Sequence, residues 1–261
     1  MIPRILAACV CTIVLVACAA PARRDNDSAM TAPRGIILKE LTHAGRTYKF
    51  AVYVPRSYTP DHAWPCLLFL HGSGESGSDG LKQAIQGIGS AIQWNEKEWP
   101  CLVVMPQKPV ENDQWEVYDA PVMEMLEVVK SEYRIDHSRI GLTGLSQGGH
   151  GTWTIAAAHP GVFCALAPIC GYSRPFAPAD LAAKVGDVPV WAFHGLADDV
   201  VPPTGTTDII DAIKADRARR GSKAEVRQSL FERVNHGSWD RAYRQEGLAE
   251  WLLNQRRQER L

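Results

Sequence analysis

The chain has 261 residues, 46% of them hydrophobic and 22% charged, which suits one ordinary soluble domain with a sizeable core. Acidic and basic residues nearly balance, 29 against 28. That balance gives no electrostatic basis for a nucleic-acid or polyanionic partner.

Residues 1–18 read as an export signal rather than as structure. Arg4 and the amino terminus supply positive charge, and the apolar stretch Ile5–Val16 is too short to span a bilayer as a stable helix. The stretch runs into Leu15-Val16-Ala17-Cys18, which resembles a bacterial lipoprotein box and implies a lipidated Cys18. Ordinary cleavage near Ala19 or Ala22 is the alternative. Residues 19–35 are small, polar and Pro-bearing, as in a flexible tether, which would span roughly 20–25 Å on average. The expected location is therefore outside the cytoplasm, in the periplasm or at the cell surface, with a membrane tether through Cys18.

Residues 36–261 read as a single domain. Ile36–Glu40 and Thr47–Val54 have strand character and flank a turn at Ala44-Gly45. Cys66–Leu70, Leu102–Met105, Ile140–Thr143, Ala165–Ile169 and Val188–Phe193 are short, continuous apolar runs, as expected of parallel strands covered on both faces. Helical patterns separate them at Ala120–Tyr133, Gln147–His159 and Thr206–Arg220, the last stopping at Gly221. Val226–Phe231 reads as a final strand and Arg244–Arg257 as a final helix. An initial hairpin followed by alternating strands and helices predicts a mostly parallel α/β sheet, helices on both faces, with its site at the carboxyl ends of the strands. The basic clusters Arg217–Arg220 and Arg256–Arg260 read as solvated.

Three of seven cysteines lie in the signal. Cys66, Cys101, Cys164 and Cys170 each sit in or beside an apolar run, where a thiol serves as a small buried hydrophobe. A Cys66–Cys101 bridge is the alternative, since both follow a Trp-Pro pair.

Gly144-Leu145-Ser146-Gln147-Gly148 falls between a strand and a helix, the context of a nucleophile elbow. Ser146 then needs a base, since an alcohol at its free pKa is a poor nucleophile. In this fold the chain order is serine, acid, histidine. Of eight histidines, His236 alone follows both Ser146 and an acid directly after the run Val188–Phe193. His150, His159, His71 and His194 read as structural. Asp198 and Asp199 compete for the acid. The Gln147 N–H is one oxyanion donor, and Leu70-His71-Gly72-Ser73-Gly74-Glu75 offers a second, at the Ser73 N–H.

With these elements placed, the chain resembles the carboxylesterase and phospholipase-like branch of the α/β-hydrolases. It is especially similar to exported bacterial proteins labelled as peptidases or dienelactone-hydrolase-like esterases. The resemblance covers about residues 45–255 and rests on Tyr53-Val54-Pro55, Phe69–Glu75, Met105-Pro106-Gln107, Arg139–Ser146 and His236-Gly237-Ser238-Trp239-Asp240. The aspartate of the family motif His-Gly-x-x-Asp-x-x-Val-Pro aligns with Asp198, which implies that Asp198 is the acid. Gln147 stands where close relatives commonly carry methionine.

The resemblance implies an eight-stranded sheet and a serine carboxylic-ester hydrolase acting through an acyl-enzyme. Gly171–Asp187 is only 17 residues, too short for a lid domain, which points to an open site. Trp115 and Trp239 are candidate walls of that site, suited to small or polysaccharide-linked esters. A serine peptidase or aminoacyl hydrolase on the same triad, and a non-catalytic binding lipoprotein, are the other readings. No His/Cys/Asp cluster has ligand spacing and no glycine loop suits a phosphate, so no metal or cofactor is expected.

Overall fold

The computed structural model describes residues 33–257. The signal, Cys18, most of the tether and the end of the Arg256–Arg260 cluster lie outside the described residues.

Eight strands form one sheet: β1 (Gly35–His43), β2 (Arg46–Val54), β3 (Trp64–Leu70), β4 (Leu102–Pro106), β5 (Ile135–Leu145), β6 (Ala165–Ile169), β7 (Val190–Gly195) and β8 (Val226–Phe231). Their spatial order is β1-β2-β4-β3-β5-β6-β7-β8. The hairpin β1–β2 joins the edge, and β2 runs antiparallel to β4. Every pairing from β4 through β8 is parallel. This is the α/β-hydrolase architecture.

Sequence alone explains the central strands. All residues of β3, β4, β6 and β7 are buried, because helices cover both faces of a parallel sheet. On one face, Leu67 and Phe69 of β3 join a core with Trp99, Tyr243, Trp251 and Leu252. That face carries α1 (Ile88–Trp94) and, near the end of the chain, α6 (Trp239–Gln245) and α7 (Leu248–Asn254). The other face carries α2 (Asp119–Glu132), α3 (Gln147–Ala158), α4 (Pro178–Val185) and α5 (Thr204–Arg220).

Several expectations need correction. The final helix is two helices, broken at Gly247, which adopts φ 73° ahead of α7. α1 and α4 were not expected; both are short, and α4 opens on Pro178, a residue suited to the first helical turn. β5 begins at Ile135, with a register shift against β3 before Ile140. Arg217 is not solvated: it is buried and donates to the carbonyls of Gly186, Val188, Ala224 and Glu225. A buried guanidinium is tolerable when its donors are satisfied in this way. Two other expectations hold: all four domain cysteines are free and buried, so the alternative Cys66–Cys101 bridge is not formed, and no lid domain intervenes between β6 and β7, where α4 is the one helix.

Candidate active site

Ser146 ends the climb of β5 and caps α3. Its backbone has φ 55° and ψ −117°, a sparsely populated conformation for a residue with a Cβ. The glycines around it are steric necessities. A Cβ on Gly148 would lie 1.8 Å from the Leu70 carbonyl oxygen, and one on Gly144 would lie 2.3 Å from that of Gly148. The bend is therefore tight enough to aim the Ser146 hydroxyl outward, at the positive end of α3.

The loops after β7 and β8 bring the other two groups. His236 Nε2 lies 2.9 Å from Ser146 Oγ, and its Nδ1 lies 2.8 Å from Asp198 Oδ2. With Nδ1–H donating to the carboxylate, Nε2 is the acceptor for the serine hydroxyl. Asp198 Oδ1 accepts the N–H groups of Val200 and Val201, each at 2.9 Å. Burial by itself would raise this carboxyl. The hydrogen bonds from His236, Val201 and Val200 outweigh it and hold the carboxyl below the usual range. Asp199 is exposed. The structure thus brings together Ser146, Asp198 and His236, and leaves Asp199 outside.

The two loops are packed to leave no slack. Ala197 N–H donates to the Val234 carbonyl at 3.0 Å, and a Cβ on Gly195 would lie 2.2 Å from that same oxygen. Ser238 N–H donates to the His236 carbonyl at 2.8 Å.

Across the cleft, the loop after β3 presents Ser73 as the first residue of a short 3₁₀ turn, Ser73–Glu75. A Cβ on Gly72 would lie 3.4 Å from Ser146 Cβ, so this loop passes close beside the serine. Gln147 opens α3, where the first N–H groups have no partner within the helix. The loop is fixed from behind by His71. Its Nδ1–H donates to the Gly72 carbonyl at 2.5 Å, and its Nε2 accepts the Lys108 N–H at 3.0 Å. Burial pushes this imidazole down to about 3, so it stays neutral.

Trp115 does not wall the cleft. It is fully buried, and its Nε1–H donates to the His71 carbonyl at 3.1 Å. A Cβ on Gly151 would strike it at 2.7 Å, so it is wedged between α3 and the His71 loop. Trp239 is partly buried, with its ring edge-on to His236 at 5.5 Å and 89°. It braces the imidazole.

His194 and Cys170, read from the sequence as a structural histidine and a buried thiol, both lie beside these groups, a closeness the sequence reading did not foresee. His194 Nε2 lies 3.1 Å from Asp198 Oδ2. Cys170 at the end of β6 places its sulfur within 4.8 Å of ligand atoms of both Asp198 and His236. Among the described residues this is a possible metal-binding trio. The carboxylate and imidazole already bond to each other, and burial pushes the thiol up to about 12, which opposes the thiolate that a metal needs. These donors therefore do not suit a resident cation. The His-Gly-x-x-Asp spacing was the available signal for His194; nothing local marked Cys170.

Comparison with known proteins bears on the family and the fold. The chain is 27% identical over 195 residues to the "Putative esterase NocK" of Nocardia uniformis subsp. tsuyamanensis, covering 70% of this chain and 53% of that protein. It is 26% identical over 161 residues to a bifunctional acetylxylan esterase/xylanase of Neocallimastix patriciarum, covering 58% of this chain and 21% of that protein. The chain thus spans about half of the first relative and a fifth of the second. A crystal structure of a thermostable esterase superposes with a TM-score of 0.72 at 29% identity, over 85% of this chain and 63% of that one. The feruloyl esterase module from Clostridium thermocellum shares the fold, with a TM-score of 0.66 at 17% identity over 87% of this chain and 90% of that one. The family model described as "Putative esterase" matches residues 42–254, and the chain belongs to this esterase family.

Proposed function

We propose that this chain is a serine carboxylic-ester hydrolase that works through an acyl-enzyme, and one observation carries the reading. His236 spans the gap between Ser146 Oγ and Asp198 Oδ2, at 2.9 and 2.8 Å. In the first step His236 Nε2 takes the hydroxyl proton as Ser146 Oγ attacks the ester carbonyl. The carbonyl oxygen gains negative charge and is held by the N–H groups of Ser73 and Gln147. Each such donor is worth roughly 2.7–4 kcal/mol in the transition state. Asp198 stabilises the imidazolium without taking its proton. His236 then protonates the departing alcohol, and water attacks the acyl-enzyme by the same path in reverse.

For substrate, we favour small or polysaccharide-linked esters in an open cleft. The absence of a lid domain between β6 and β7 supports access by a bulky alcohol side. The acetylxylan esterase activity named for one relative supports the same class. For location, we propose export with lipidation at Cys18 and a tether over residues 19–35. Lipid-probe labelling that survives Cys18→Ala would remove that anchor.

The main experiment compares short-chain nitrophenyl esters with peptide anilides, alongside fluorophosphonate labelling. Ester turnover and labelling, both abolished in Ser146→Ala, are expected. Faster cleavage of the anilides would favour a peptidase on the same triad. Labelling that persists in Ser146→Ala would remove Ser146 as nucleophile.

A further inference from the structure

His194 is a fully buried imidazole near the end of β7, four residues before the acid. Nδ1 lies 2.8 Å from Thr206 Oγ1 at the start of α5. Nε2 lies 2.9 Å from the Val201 carbonyl oxygen and 3.1 Å from Asp198 Oδ2. A carbonyl can only accept, so the ring proton sits on Nε2, and the Thr206 hydroxyl donates to Nδ1. Burial lowers this imidazole from its ordinary value against the pull of the Val201 carbonyl and of Asp198. It serves as a neutral donor.

The consequence concerns the carboxylate's lone pairs. Oδ1 accepts two backbone N–H groups, from Val200 and Val201. Oδ2 faces two imidazoles, His236 Nδ1 and His194 Nε2. Val201 is gripped at both ends, its N–H by Asp198 and its carbonyl by His194. We propose that His194 is a positioning residue for the acid: its Nε2–H, shared between the Val201 carbonyl and Asp198 Oδ2, fixes the rotation of the carboxylate and occupies the lone pair that would otherwise pull harder on the His236 proton. This rests on the acyl-transfer function proposed above.

Other ionisable groups face the pair. His236 comes from the loop after β8 and Cys170 from the end of β6, its thiol pushed up to about 12. Asp199, next in the chain, is exposed, and α5 contributes the neutral Thr206 hydroxyl. None of these replaces the His194 donor on Oδ2.

The test uses His194→Leu, which removes the donor, and His194→Gln, whose terminal amide N–H can reach the place of Nε2–H. Steady-state kinetics across pH and an NMR titration of the His236 ring are the readouts. In His194→Leu, kcat should fall about 10- to 100-fold with KM within about twofold. With one donor gone, the carboxylate charge bears more strongly on the imidazolium. The acid limb and the His236 titration should therefore both move up by about one pH unit. His194→Gln should return both toward wild type. His194→Asn, too short to reach Asp198, gives the same reading where the leucine variant does not fold. A folded His194→Leu or His194→Asn whose His236 titrates as in wild type overturns the proposal. The NMR arm needs no substrate, so it stands apart from a failure of the wild-type protein to hydrolyse esters.

Discussion

Trp115 Nε1 donates to the main-chain carbonyl of His71, and the indole lies edge-on to the His71 ring at 4.9 Å and 71°. One buried side chain thus supports the strand end from which the Ser73 N–H departs. Trp115→Phe keeps most of the ring volume and leaves that carbonyl without its donor. The expected cost is about 1–3 kcal/mol of stability. Fluorophosphonate labelling should slow about tenfold, which corresponds to about 1.4 kcal/mol of transition-state support. Wild-type labelling in a destabilised Trp115→Phe would separate the tryptophan from the oxyanion loop.

The two neighbouring aspartates have opposite environments, and their substitutions should differ accordingly. Asp198→Asn leaves the shape intact but favours the wrong His236 tautomer, and kcat should drop by about 10⁴. Asp199→Asn alters an exposed carboxylate and should leave kcat within about twofold. A crippled Asp199→Asn beside a mildly affected Asp198→Asn would reverse the assignment.

Glu75 should make stability depend on pH. Burial raises its carboxyl above the ordinary 4.5, against the N–H groups of Gly72 and Glu75 and the Lys108 ammonium. Its Oε2 is shielded from solvent and has no hydrogen-bond partner. The folded chain therefore holds this proton more tightly than the unfolded chain. Stability from the acid form is complete below the unfolded value and is lost as pH rises through the folded one. Glu75→Gln has no proton to lose. Its melting temperature relative to wild type should be higher at pH 8 than at pH 4. An equal difference at both values would show that the carboxyl titrates normally.

The elbow should tolerate no added carbon at its base. In Gly148→Ala the new methyl would meet the Leu70 carbonyl at 1.8 Å, backbone against backbone. Such a clash requires the β5–α3 turn to open, which removes the Ser146 conformation as well. The expected result is an insoluble chain, or a folded one with at least 100-fold slower labelling, read by soluble yield and by fluorophosphonate kinetics. Near-normal labelling would mean that the turn has more room than its contacts indicate.

The parallel strands were legible in the sequence because β3, β4, β6 and β7 are buried on both faces and so are apolar nearly throughout, His194 of β7 excepted. The bend at Ser146 was legible because its two glycines have no substitute. The short helices α1 and α4 were not, since seven or eight residues carry too little periodicity to stand above the neighbouring loops. Trp115 misled because a tryptophan in a loop has the same local pattern whether it faces the cleft or the core. Its burial is decided by Gly151 on α3, distant in sequence and without a side chain of its own. Arg217 misled for a similar reason: the carbonyls it satisfies belong to two loops that meet only in the folded chain.

Cys66, Cys101, Cys164 and Cys170 are all unpaired and sealed from solvent. The described domain therefore asks nothing of an oxidising environment. It should reach its native state as well in a glutathione-rich cytosol as beyond a membrane, and dithiothreitol should leave its melting curve unmoved. Its maturation is uncoupled from any thiol oxidase, wherever the chain is finally delivered.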